Sequence, residues 1–64
     1  MPIIIVEGNH LDKDKKREYI AKLTEITANT YNLPKTSVSI ILREINSDNI
    51  GVAGEMLSDI IDKH

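Results

Sequence analysis

The sequence predicts a small α/β (α+β) protomer: a β-α-β unit with parallel strands, then a C-terminal hairpin and a short arm, assembling into an oligomer. Three observations predict it. Two β-branched apolar runs, Ile3 to Val6 and Val38 to Ile45, bracket one long stretch of helical periodicity. A polar turn and a glycine-containing segment follow the second run. Both runs are apolar on two faces, whereas one helix covers only one face of a two-stranded sheet.

The first strand is Ile3-Ile4-Ile5-Val6, which reads as buried on both faces and is closed by Gly8 and Asn9. Asp12 is a suitable N-cap, and Asp14 in the first turn complements the helix dipole. From there Tyr19, Ile20, Leu23, Ile26, Thr27, Thr30 and Tyr31 recur at helical spacing. Asn32 suits a left-handed cap, and Pro34 blocks continuation, which predicts a helix over about 13–31. In the second strand, Val38 to Ile45, period two puts Val38, Ile40 and Leu42 on one face. Ser39, Ile41, Arg43 and Ile45 take the other. A helix between two such strands predicts a right-handed crossover with parallel strands. Asn46 to Asn49 is a polar turn, Ile50 to Gly54 a short hairpin, and Met56, Leu57, Ile60 and Ile61 a terminal helix or docking arm.

The chain has 64 residues and 7.2 kDa, so residues 1–64 are read as a single domain. Burial on folding contributes on the order of 95 kcal/mol, and ordering the chain costs about 96 kcal/mol. The near-zero balance calls for a supplement. Without cysteine there is no disulfide, and no set of metal ligands is spaced in the sequence. Oligomerisation is the remaining source of stability.

Composition excludes several classes. Eight basic against ten acidic residues, with only two aromatics, argues against nucleic acid as a partner. No apolar run approaches a membrane span, so no membrane partner is expected. The MPIIIVEG start lacks a basic segment and is not expected to be a secretory signal. The missing cysteines fit a cytoplasmic location.

His10 and His64 stand at opposite ends of the chain and read as solvated, so no metal is expected. No serine or cysteine nucleophile has a supporting motif, and Gly51 to Gly54 is too short for a phosphate loop. The mixed charges from Asp12 to Glu18 read as a solvated helix start. Pro2 is different. Loss of Met1 exposes a prolyl secondary amine, and apolar neighbours Ile3, Ile4 and Ile5 favour its neutral form, which is a usable general base. The plainer alternative is that Pro2 only starts an edge strand.

Pro2 before a β-branched strand, Glu7-Gly8 at its close, Lys16 in the first helical turns, Thr36-Ser37-Val38, Glu44 and Gly51-Val52-Ala53-Gly54 occur in this order along the whole chain. This arrangement resembles the 4-oxalocrotonate tautomerase family. The stretches Leu11 to Tyr19 and Asp48 to Gly51 resemble most its archaeal and bacterial branch of probable tautomerases, linked to aromatic degradation. The resemblance implies a homo-oligomer, expected to be a hexamer built as a trimer of dimers. It implies enol–keto isomerisation of a small 2-hydroxy or 2-oxo acid without a cofactor, with Pro2 as proton shuttle. It further implies that arginines from neighbouring subunits bind the substrate carboxylate, and that a hairpin aromatic makes the site apolar. Here Asn9, His10 and Leu11 replace one arginine region, Ser39 stands for a second arginine, and Ile50 for the aromatic. The substrate-binding candidates are therefore Ser39, Arg43 and Ile50. Lys16 or Arg17 of a neighbour is an alternative cation, and Arg43 has an alternative role in an interface ion pair with Glu44 of another strand. The competing function is a non-catalytic oligomeric scaffold or binding module.

Overall fold

The structure is a computed structural model that describes residues 1–62; the expectation for His64 falls outside the described residues. The elements are β1 (Ile3–Gly8), α1 (Lys13–Tyr31), β2 (Ser39–Glu44), β3 (Gly51–Val52), β4 (Glu55–Met56) and α2 (Leu57–Asp62). Short 3₁₀ turns at Lys35–Ser37 and Ser47–Asn49 frame β2. β1 runs two residues beyond the predicted apolar run, through Glu7 and Gly8, and β2 is one residue shorter at each end.

The capping residues set α1. The Asp12 carboxylate accepts from the Lys15 N–H at 2.8 Å. Asn32 takes φ 55°, ψ 48°, and the Leu33 N–H reaches back to the Ala28 carbonyl at 3.0 Å. The helix returns the chain so that β2 pairs parallel to β1, with Ile3 opposite Ser39, Ile5 opposite Ile41 and Glu7 opposite Arg43. Ser39 N–H to Pro2 O (3.1 Å) and Ile45 N–H to Gly8 O (2.8 Å) extend the ladder past both ends.

The helix covers the face of Ile4, Val6, Ile40 and Leu42, all partly buried. Its own inward residues are Leu23, Thr24, Thr27 and Ala28, and only Thr27 and Ala28 are fully buried among the described residues. This corrects the expected stripe, since Ile26 and Tyr31 are largely exposed. Small side chains at 27 and 28 let the helix approach the sheet and turn the bulkier neighbours outward. The opposite sheet face is bare, with Ile3 at 54%, Ile5 at 50% and Ile41 at 43% exposure.

β3 and β4 form the predicted hairpin, Gly51 opposite Met56 and Val52 opposite Glu55. Ala53 and Gly54 take φ of 52° and 82°, the two positive values of a primed two-residue turn. The Leu57 N–H donates to the Ile50 carbonyl at 2.7 Å, which ties α2 to the start of the hairpin. The protomer extends over 45 × 24 × 15 Å with a radius of gyration of 15.5 Å. A compact chain of this length has about 11 Å.

Candidate active site

Pro2 is half-buried at the mouth of β1. A concavity of about 250 Å³ opens beside it, lined by Ile3, Ile4, Ile26, Thr27, Thr30 and Tyr31. None of these side chains is charged, and the Thr30 hydroxyl is directed to the Ile26 carbonyl at 2.7 Å. Met1, ahead of Pro2, is 85% exposed. While Met1 is attached, the Pro2 nitrogen is a tertiary amide and has no basic lone pair. Removing this accessible residue creates the amine.

Ser39 is the one other candidate held beside Pro2. Its N–H donates to the Pro2 carbonyl and its side chain stands on the bare face next to Ile3. Arg43 lies on the same face four residues further, about 13 Å along the strand. There it pairs with Glu7 of its own protomer at 3.3 Å. Ile50 belongs to the C-terminal segment, which packs around the Ser47–Asn49 turn and α2. Within one protomer, Pro2 and Ser39 come together, while Arg43 and Ile50 stand elsewhere.

A second concavity, of about 210 Å³, lies at the other end of the sheet, where β1 and β2 meet the start of α1. Val6, Leu11, Tyr19 and Leu42 form apolar walls, and Lys16 and Glu44 stand within them. One Glu44 carboxylate oxygen accepts from Lys16 Nζ and the other contacts His10 Nδ1. His10 is solvated as expected, 77% exposed, and its Nδ1 stands beside the Glu44 carboxylate. Glu44 shares parity with Leu42, so it faces the helix, and Lys16 lies seven residues before Leu23 on the inward side of α1. Strand parity and helical spacing are the sequence signals for this placement. Among the described residues no three His, Cys, Asp or Glu side chains gather as a metal set.

This β-α-β unit with its hairpin is shared with known proteins. The family model described as Tautomerase enzyme matches residues 2–60, starting at Pro2. The chain belongs to the tautomerase family. A probable tautomerase of Campylobacter jejuni is 36% identical over 62 residues, covering 94% of this chain and 91% of that protein. The crystal structure of DmpI from Archaeoglobus fulgidus superposes with a TM-score of 0.81 at 36% identity, covering 91% of this chain and all of the other. A 4-oxalocrotonate tautomerase homologue gives a TM-score of 0.83 at 30% identity, covering 92% and 95% of the two chains. These similarities put the chemistry of this tautomerase-family chain among tautomerase-type isomerases. No helix among the described residues is long and apolar enough to cross a membrane.

Proposed function

We propose that the chain is a cofactor-independent keto–enol tautomerase of small 2-hydroxy and 2-oxo acids, with Pro2 as the proton shuttle once Met1 is removed. The observation that carries this reading is the half-buried Pro2 beside an uncharged concavity, at the first residue matched by the family. The neutral amine accepts the enol hydroxyl proton. The oxygen lone pair forms the carbonyl, the double bonds shift, and the prolyl ammonium returns the proton to carbon. Substrate and product are isomers, so no oxidant or co-reactant enters.

The developing oxyanion and the carboxylate need donors. Ser39 is at hand. Arg43 reaches Pro2 only from a neighbouring subunit, and Ile50 of a neighbour supplies apolar cover. This arrangement requires a homo-oligomer, proposed as a hexamer working in the cytoplasm on products of aromatic degradation. The bare face of Ile3, Ile5 and Ile41 supports the assembly.

The test is the decay of 2-hydroxymuconate by ultraviolet absorbance, using protein whose intact mass confirms loss of Met1. Decay above the buffer rate is expected, with Pro2→Ala lowering kcat/KM by roughly 10²-fold or more. Equal rates in Pro2→Ala and wild type would remove Pro2 from the chemistry. No decay with Pro2 free would mean that the substrate is quite different or that the chain is a scaffold.

A further inference from the structure

α1 carries three threonines, and two of them return their hydroxyls to the helix. Thr24 donates to the Ile20 carbonyl and Thr30 to the Ile26 carbonyl, both at 2.7 Å. Thr27 makes no such bond, although it is only 8% exposed. Among the described residues its hydroxyl has no hydrogen-bond partner, yet no polar side-chain atom is orphaned in the interior, so the oxygen opens onto accessible space. The space that Thr27 borders is the concavity beside Pro2. A hydroxyl drawn out of bulk water without a partner costs free energy, which a ligand oxygen placed against it recovers. Tyr31, four residues on, borders the same concavity from its open rim. Its hydroxyl likewise has no partner among the described residues. Side chains four apart on a helix are neighbours, about 6 Å between Cβ atoms, so both hydroxyls can reach one small molecule.

We propose that the Thr27 and Tyr31 hydroxyls are the helix-side donors that hold a small 2-oxo or 2-hydroxy acid against Pro2 of the same protomer. Thr27 donates to the 2-oxygen. Negative charge develops there as the proton leaves, and a donor already held out of bulk water stabilises that charge most. Tyr31 donates to the carboxylate at the rim, where the full charge of the ligand keeps its contact with water. Ser39 approaches Pro2 from the bare face of the sheet, whereas Thr27 and Tyr31 approach it from the helix. The ligand's identity rests on the tautomerase reading; the two free hydroxyls and their place beside Pro2 rest on the geometry.

The experiment combines kinetics and binding on the intact, Met1-free protein. Thr27→Val removes the hydroxyl and keeps the β-branched shape. In the decay of 2-hydroxymuconate it is expected to lower kcat roughly tenfold or more, a larger change than in KM. Thr27→Ser keeps the hydroxyl and should retain most of the wild-type kcat. Tyr31→Phe is expected to raise KM about fivefold with kcat little changed. A packing role for either residue would not divide the two constants in this way. Binding is read without turnover by titrating 2-oxopentanoate and following ¹H–¹⁵N shifts. Shifts are expected at Ile4, Thr27, Thr30 and Tyr31, and both Thr27→Val and Tyr31→Phe should weaken binding about threefold. Shifts confined to the bare sheet face, no shifts at all, or a Thr27→Ser as slow as Thr27→Val would overturn the proposal. If Thr27→Val does not fold, Tyr31→Phe, at an exposed position, decides it. The two readings fail separately. A wild type without isomerase activity whose Tyr31→Phe variant still binds 2-oxopentanoate more weakly loses only the tautomerase reading. Activity lost in Pro2→Ala but unchanged in Thr27→Val and Tyr31→Phe loses only the two donors.

Discussion

Ala53 holds a backbone conformation that its side chain disfavours. At φ 52° its Cβ crowds the following carbonyl, which costs about 1–2 kcal/mol for an ordinary L-residue. The first position of a primed turn favours Asn, whose short amide is at ease in this region. Ala53→Asn is therefore expected to stabilise the protein by up to about 1 kcal/mol, read as a higher midpoint in urea. A lower midpoint would show that the Ala53 methyl has a packing partner. Single residues were unevenly legible in the sequence. Asp12 and Asn32 announce their caps because capping is local chemistry that depends on a few neighbouring backbone groups. The partners of Glu44 and His10 depend on tertiary approach over 28 and 34 residues, which no local rule supplies.

The elements were read more fully, because their signals add along a segment. The helix occupies Lys13–Tyr31, as the caps and periodicity indicate, and the parity of β2 correctly separates Leu42 from Arg43. The inward stripe of α1 was misread because Ile26 and Tyr31 are apolar without being covered by the sheet. Periodicity reports which residues avoid water, not which surface receives them. The exposed side of α1 offers an element-scale test. Glu18 accepts from Lys22 at 2.8 Å, a pair four residues apart on the helix. The hydrogen bond and the charge of Lys22 lower the Glu18 carboxyl pKa, and the same partners raise that of Lys22. A carboxylate with a lowered folded pKa stabilises above its unfolded value, and the gain disappears as pH falls through the folded one. The raised Lys22 gives the mirror image, its contribution being lost as pH rises through the alkaline range. Glu18→Gln should lower stability slightly at neutral pH and have no effect once pH drops well below 4. Equal differences at neutral and acid pH in paired denaturant titrations would show that the pair contributes nothing electrostatic.

At the scale of the whole molecule, the protomer lacks a core of its own. Ala28 is the only fully buried hydrophobic residue among those described, and the accessible surface is 5149 Å². A compact chain of this mass exposes about 4,100 Å². The excess, about 1,000 Å², is comparable to one partner's share of a standard interface, about 800 Å². Ile5 stands in the middle of the bare face, flanked in register by Ile41. Burying one isoleucine contributes about 1.5–3 kcal/mol, and a closed oligomer repeats that gain in every subunit. A carboxylate at this position would have to be desolvated against Ile3 and Ile41. Ile5→Asp is therefore expected to abolish assembly and, because folding and association are coupled in so small a chain, to unfold it as well. Light scattering should give about 43 kDa for a wild-type hexamer of 7.2 kDa chains and a single-chain mass for the variant. The wild-type Tm should rise with protein concentration, since association stabilises only the folded chain. A folded, monomeric Ile5→Asp protein would show that the protomer stands alone. It would also deprive Pro2 of the neighbouring groups on which the proposed chemistry depends.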